Sequence, residues 1–401
     1  MWVNIKQTEV RVMIGHASLF SQVLSLIDRH HFAGMVKALK AEKHAKGFTC
    51  WGQFVAMLFC QMAKAKSLRE IVQGLRCCEG KLRHLGIEEH PKRSTLSYAN
   101  EHRPWELYRS VFYALLERCM AIAPGKKFRF KNKLLSMDAT VIELCATMFD
   151  WAKFRQAKGA LKVHLLLDHD GYLPVFAHIT EGREHELLTI RHLHFARGTI
   201  VAFDRAYIDY KLFEQWSVNG VYFVTRMKQN ANWWTERRQV VPCGSSVLKD
   251  EIGEFHIWHA GRKIVHSYRK VTVWIEEKKE ELVLLTNNFK LAARTIAAIY
   301  KERWQIELFF KALKQNLRVK TFVGTSANAV HIQIWTALVA ILLLKYLQFK
   351  ATVAWALSNL AALLHWNLFT YRDLWQWINS PTDGPTEQPG SEQLCMILDS
   401  I

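Results

Sequence analysis

Apolar residues recur at intervals of three and four through residues 15 to 123, as in Phe20, Val23, Leu24 and Ile27 and again in Trp51, Phe54, Val55 and Leu58. That spacing predicts amphipathic helices. Ser67-Leu68-Arg69-Glu70 has the capping-box spacing that starts another. Beyond the turn-like stretch HLGIEEHPKR, the segment STLSYANEHR opens a further helix whose first turn carries Ser94, Thr95 and Ser97 beside Lys92 and Arg93. This is either a DNA-reading helix of the helix-turn-helix kind or an ordinary solvated helix start. Pro124-Gly125 breaks the helical region, and Lys126, Lys127, Arg129, Lys131 and Lys133 form a basic connector.

The pattern then shifts to strands. Leu134 to Leu144 reads as one, LKVHLLLDHDGYLPVFAHIT as a pair turning at His169-Asp170-Gly171, and GTIVAFD and VYFVTRM as two more, separated by helix-like stretches. Three strands followed by helix, strand, helix and strand is the order of a mixed sheet in an α/β domain. Residues 230 to 288 alternate differently, in FHIWHA, KIVHSYRKVTVWI and ELVLLT, and read as an inserted β subdomain. One long helix is expected from Leu291 to Leu317, then buried helices in QIWTALVAILLLKYLQF and TVAWALSNLAALLHWNLF, and a flexible tail from SPTDGPTEQPG onward. The expected division is thus an all-α domain at 1–123, a core at 124–229 and 289–330, the insertion at 230–288, helices at 331–379 and a tail at 380–401.

Charge narrows the function. With 54 Lys+Arg against 36 Asp+Glu, the 401-residue chain carries a formal +18, which makes a polyanion the leading partner. Charge alone also leaves a ribosomal or membrane-surface role open, whereas 15 Trp and 22 Phe argue against a disordered basic tail protein. The eight cysteines show neither a C-x-x-C pair nor a zinc-finger histidine partner, and read as reduced thiols of an intracellular protein. The longest apolar run, Ile334 to Leu344, is 11 residues, short of the ~20 that cross a bilayer, and the amino terminus lacks the pattern of a signal peptide.

Three acids stand out. On a helix, Tyr300, Arg303, Glu307, Lys311 and Lys314 share an arc of roughly 80° that flanks the apolar stripe of Ile299, Ile306, Phe310 and Leu313. A single carboxylate in a basic stripe is often ordinary salt-bridge chemistry. Two further acids weigh against that: Asp138 ends the apolar LLSM, and Asp204 closes TIVAF. A carboxylate at the end of an apolar strand costs several kcal/mol to bury alone, unless a cation or donors compensate it. Two strand acids and a helix acid suit divalent metal ions.

The spacing Y-x2-R-x3-E-x6-K, met by Tyr300, Arg303, Glu307 and Lys314, resembles the signature of bacterial insertion-sequence transposases of the DDE class. Asp204-Arg205-Ala206-Tyr207 resembles the motif around that family's second aspartate, and SMDATVIEL the strand carrying the first. Separations of 204 − 138 = 66 and 307 − 204 = 103 residues suit a ribonuclease H-like core whose last strand and catalytic helix are split by a β insertion. The helical amino-terminal stretch is similar to the domain preceding that core in one subgroup, so the resemblance runs from Phe20 to about Phe369.

The resemblance implies a transposase that binds terminal inverted repeats and target DNA and acts as a homodimer in a synaptic complex, in the cytoplasm near the bacterial nucleoid. Asp138, Asp204 and Glu307 would carry over as ligands of two Mg²⁺ (or Mn²⁺) ions about 3.5 to 4 Å apart. Arg303, Lys311 and Lys314 would grip DNA phosphates together with Tyr300 and Arg205, while Lys92, Arg93 and Ser94 would touch DNA from the amino-terminal domain. Two positions depart from the family: Ala206 stands where Gly is frequent, and Leu282 stands where hairpin-forming relatives place a stacking Trp, with Trp233, Trp234, Trp258 and Trp274 as substitutes. His164, His169, His178, His185, His192 and His194 cluster without a metal-binding spacing, although His185-Glu186 could approach the acids from outside. Two readings compete with the transposase: a nuclease with the same core and no strand transfer, and a decayed, non-catalytic DNA-binding protein.

Overall fold

Side-chain oxygens start the helices where the spacing places them. In the computed structural model Asp28 Oδ1 accepts from the His30 and His31 amides, Thr49 Oγ1 from Gly52, and Ser67 Oγ from Glu70 at 3.1 Å, while Glu70 Oε2 accepts from the Lys66 amide. These caps satisfy amides that have no partner inside their own helices. The structure describes residues 17–382, apart from short breaks at 44, 46, 79–80, 126–127, 129, 146–152, 156–157, 183–185, 192, 229–230, 242–243, 260–261 and 318–321. The expected tail beyond 382, most of the basic connector, Cys243, Cys395, His185 and His192 therefore lie outside the described residues. Among the described residues Cys50, Cys60, Cys77, Cys78 and Cys119 are free thiols.

Six helices lead the chain: α1 (Leu19–Leu24), α2 (Arg29–Ala38), α3 (Cys50–Met62), α4 (Leu68–Arg76), α5 (Arg93–His102) and α6 (Glu106–Ile122). Then come β1 (Leu134–Cys145), β2 (Lys153–Arg155), β3 (Lys158–Asp168), β4 (Leu173–Glu181), α7 (Glu186–Arg191), β5 (Ile200–Phe203), α8 (Tyr210–Val218) and β6 (Tyr222–Arg226). After β7 (Trp233–Arg238), β8 (Val247–His259), β9 (Arg262–Ile275) and β10 (Glu280–Thr286), the chain returns to helices. These are α9 (Ala293–Glu302), α10 (Trp304–Leu317), α11 (Ala327–Lys350), α12 (Leu357–Asn367) and α13 (Leu374–Asn379).

All ten strands join one mixed sheet in the order β2-β3-β1-β5-β6-β10-β9-β8-β7, with β4 also paired to β3. β1, β5 and β6 run parallel, and the remaining pairs are antiparallel. The segment expected as an inserted β subdomain is hydrogen-bonded into the same sheet. Its last strand pairs Leu284 with Arg226, Leu285 with Thr225 and Thr286 with Val224. Period-two alternation sorts side chains to two faces. Leu135, Met137, Val201, Phe203 and Phe223 pack with Leu212, Phe213 and Trp216 of α8. Leu134, Ile200, Ala202 and Val224 pack with Ile296, Ile299 and Tyr300 of α9.

The first six helices do not form a core of their own. They share one apolar cluster with the far half of β1 (Ile142, Leu144), with Ile306, Phe310 and Leu313 of α10, and with α11 to α13. Chain start and chain end are tied directly: the Leu19 amide donates to the Thr370 carbonyl at 3.0 Å and that of Phe20 to Leu368 at 2.9 Å. α11 is the axis of this layer. At 24 residues it is longer than the uninterrupted apolar run, and by length and composition alone it would pass for a membrane span, with mean hydropathy 1.8. Its window is 83% buried within the protein, against α3, α5, α6, α10 and α12. Apolar residues all round suit a helix with neighbours on every side.

One expected element divides. The single helix from Leu291 to Leu317 is two, α9 and α10, with a break at Arg303. There the Arg303 amide donates to the Tyr300 carbonyl at 3.2 Å and its carbonyl accepts from Ile306 at 3.1 Å. These are three-residue steps, tighter than the α-helical ladder on either side.

Candidate active site

The strand register brings the two aspartates together. Ser136 pairs with Ala202 and Met137 with Phe203 across parallel β1 and β5, so Asp138 and Asp204 are the next residues of adjacent strands. Neighbouring strands lie about 4.8 Å apart. Both acids follow the parity of Leu134, Ser136, Ile200 and Ala202, and so take the face that α9 and α10 cover. β6 continues the row: Thr225 pairs with Phe203, which sets Arg226 beside Asp204. Arg226 escaped the sequence reading, although it closes the apolar run of β6 much as Asp204 closes that of β5.

Arg303 closes the site from the helix side. Its Nη1 donates to Asp138 Oδ2 at 3.1 Å and its Nη2 to Glu307 Oε1 at 2.6 Å. The three side chains are 12%, 22% and 33% exposed, so these contacts are largely shielded from open water. Asp138 Oδ1 also accepts from the Ala139 amide at 2.8 Å. Burial, reinforced by the nearby Glu307 and Asp204 charges, raises the Asp138 pKa from 3.8 to about 6 against the pull of that amide and of Arg303. Asp204 is half-buried, and its Oδ1 accepts from the Arg205 amide at 2.7 Å at the head of a short 3-10 turn, Arg205–Tyr207. Ala206 lies in that turn, and Arg205 is exposed. The Arg303 guanidinium lies 5.6 Å from the Tyr300 ring centre, and burial raises the buried Tyr300 hydroxyl to about 12.

Asp138, Thr140, Glu307, Phe310, Lys311, Lys314 and Gln315 line one open cleft of about 540 Å³. Lys311 and Lys314 are exposed at its rim. The expected stripe therefore holds for Glu307, Lys311 and Lys314, while Tyr300 turns into the core of α9 and Arg303 bridges the acids. Lys92, Arg93 and Ser94 are elsewhere, exposed at the start of α5. Arg93 and Ser94 line a cleft of about 730 Å³ with Lys66, Arg69, Tyr98 and Glu101.

The histidines take structural places. His164 is buried and its Nε2 meets Thr180 Oγ1 at 2.9 Å, and burial lowers its pKa to about 4; His169 Nε2 meets Ser136 Oγ at 2.7 Å. His194 is exposed. Leu282 is half-buried opposite Val273, Trp234 is exposed, and Trp274 donates its indole N–H to Glu276 at 2.6 Å. The side chains of Trp258 and Glu186 lie outside the described residues. Among the described residues no three His, Cys, Asp or Glu side chains stand close enough to hold one metal ion as they are. The donor set nevertheless fits a hard cation: carboxylate oxygens, one of them with a raised pKa, held against a guanidinium that supplies a single positive charge.

Residues 129–343, more than half of the chain, match the transposase DDE domain. The chain belongs to the DDE transposase family. It is accordingly an enzyme of DNA cleavage and strand transfer, with DNA as its partner. Residues 15–88 of this transposase match a domain of unknown function (DUF4372). The chain is similar to the "Probable transposase for insertion sequence element IS5377" of Geobacillus stearothermophilus, 27% identical over 258 residues, covering 63% of this chain and 67% of the relative. It is similar also to the "Putative transposase y4zB" of Sinorhizobium fredii, 28% identical over 287 residues, covering 71% and 79%. Among solved structures it is similar to the piggyBac transposase in its synaptic complex with hairpin DNA, with a TM-score of 0.42 and 11% identity over 92% of this chain and 81% of that one.

Proposed function

We propose that this DDE transposase mobilises an insertion sequence in the bacterial cytoplasm, using Asp138, Asp204 and Glu307 as its metal-holding acids and the Tyr300-Arg303-Glu307-Lys314 set as its signature. The adjacency of Asp138, within β1 where its parallel pairing with β5 stops, and Asp204, just past the end of β5, with Glu307 reached through Arg303, carries the reading. The sheet order supports a ribonuclease H-like core, β3-β1-β5-β6 with α8 and α9, into which β7 to β10 are inserted as an extension of the same sheet. The helices before β1 would hold the terminal inverted repeat, with Arg93 and Ser94 presented to it and Lys92 beside them. A homodimer would pair the two ends.

When bound, divalent Mg²⁺ or Mn²⁺ would lower the cost of forming the attacking oxygen nucleophile and of releasing the leaving oxygen. The rest falls to side chains. Lys311 and Lys314 stand on the exposed rim of the cleft where a phosphodiester would enter, and would neutralise its charge. Phe310 and the apolar stripe of α10 fix the helix against α11, so that Glu307 is held in place rather than carried on a loop. Asp204 is oriented by the Arg205 amide, which holds one carboxylate oxygen and leaves the other available.

Replacing Asp204 with Ala is expected to abolish Mg²⁺-dependent cleavage of the element's ends while leaving end binding largely intact. Cleavage that survives would remove the metal assignment. Cleavage without joining in the unaltered protein would instead favour a nuclease.

A further inference from the structure

One guanidinium has two claims on it. In the DNA-free chain Arg303 spends one N–H donor on Asp138, at 3.1 Å, and another on Glu307, at 2.6 Å. The function proposed above needs the same planar fork on a DNA phosphate and the same two carboxylates on a cation. The two sets of contacts compete, since Arg303 holds one oxygen of each acid and its positive charge between them opposes a cation on the same two carboxylates.

We infer that Arg303 is an exchangeable counter-ion: it neutralises Asp138 and Glu307 until a DNA end arrives, then passes to a phosphate and frees both carboxylates for a divalent cation. The binding of DNA ends and of metal thereby strengthen each other through this one side chain. The inference rests on the reading of the three acids given above.

Its position suits an exchange. Arg303 sits between α9 and α10, where hydrogen bonds step by three residues on both sides, so its side chain can reorient without unwinding either helix. The Tyr300 ring, 5.6 Å below the guanidinium, offers a face over which a planar cation can slide while staying partly desolvated. Next to the break Tyr172 donates its hydroxyl to Glu302 Oε2 at 3.1 Å, anchoring the end of α9 so that the side chain rather than the helix moves. Lys311 and Lys314 on the neighbouring turns bring a phosphate to within reach of the same cleft. Arg pairs with carboxylate and phosphate through the same two-pronged geometry, so one partner can replace the other at small cost.

The full chain is titrated with Mn²⁺ alone, following the loss of the free-ion paramagnetic signal, and again on a duplex carrying the element's terminal repeat, with the DNA-only titration subtracted. The duplex should raise the Mn²⁺ affinity of the unaltered protein by roughly 5- to 150-fold, the usual size of such a coupling. Arg303→Gln should bind Mn²⁺ more tightly than the unaltered protein in the absence of DNA, and its gain on the duplex should fall below about twofold. An Arg303→Gln chain with unchanged or weaker DNA-free affinity, or with the full gain on DNA, overturns the inference. Should that variant lack a cooperative melt, Arg303→Lys decides, because a point charge cannot bridge both acids: its DNA-free affinity should again exceed that of the unaltered protein, and an equal or lower one overturns the exchange. Glu307→Gln separates the two levels. If it binds Mn²⁺ as the unaltered protein does, the metal reading itself fails; if it loses the ion while the Arg303 variants behave as the unaltered protein, only the exchange fails.

Discussion

Arg269 and Arg303 each hold carboxylates sheltered from solvent, and they do so to opposite ends. Arg269, on β9, closes a complete fork on one acid: Nε donates to Asp250 Oδ1 at 2.8 Å and Nη2 to Oδ2 at 2.7 Å. Its Nη1 reaches the Asn288 and Leu291 carbonyls ahead of α9, and the pair is 3% and 5% exposed. Arg303 instead divides its donors between acids on different elements, and both of those acids line an open cleft. The first arrangement leaves nothing for a ligand to take and pins the approach to α9. The second is a charge cluster whose parts have a better use once DNA and a cation are present. Burial and complete hydrogen bonding make an ion pair structural; a split fork beside open space makes it exchangeable.

The sharpest break in this comparison is a swap of phenotypes. Glu307→Gln should lower end cleavage by roughly a thousandfold or more, the effect of losing several kcal/mol of charge stabilisation, with little change in the melting of the metal-free chain. Arg269→Ala should do the reverse through the fold: it leaves Asp250 buried without a partner, and a loss of about 3 to 5 kcal/mol in a denaturant titration is expected. If Arg269→Ala melts as the unaltered protein does, the structural half of the comparison is wrong.

Asp138 sharpens it further through pH. Its pKa in the folded chain is raised from 3.8 to about 6 by burial foremost, so between these values the folded state holds a proton that the unfolded state has released. Stability of the metal-free chain should therefore fall as pH rises through that window, and Asp138→Asn should flatten this part of the profile. Melting temperatures from pH 4 to pH 8 without divalent ions check it; an identical slope in the variant would take Asp138 out of the buried cluster. The smallest effect belongs to the rim. Lys314→Ala should reduce the slope of log affinity against log salt by about 0.9, one phosphate's share, and an unchanged slope would place that lysine off the DNA.

What the sequence disclosed and what it withheld follow a physical line. Acids closing the apolar runs LLSM and TIVAF were legible because the end of an apolar run is a local pattern, and the same pattern at Arg226 was there to be read. The break at Arg303 was not. Tyr300 to Leu317 contains neither Gly nor Pro and has helical spacing throughout, so local preference argued for one helix and tertiary contacts made two. Likewise, β10 meets β6 across some 60 residues of chain, Leu284 against Arg226, a pairing that alternation within ELVLLT cannot announce. The packing of α1 against the chain's last helices is of the same kind: the periodicity showed apolar faces without showing that Leu19 and Phe20 would bond to Thr370 and Leu368.

The most direct measurement is the structure of the protein with a terminal-repeat duplex and Mn²⁺, with the ion located by its anomalous scattering. The account predicts metal within coordination distance, about 2.0 to 2.6 Å, of oxygens from Asp138, Asp204 and Glu307, with the Arg303 guanidinium on a DNA phosphate. Mn²⁺ bound away from these carboxylates, with Arg303 still joining Asp138 to Glu307, would contradict it.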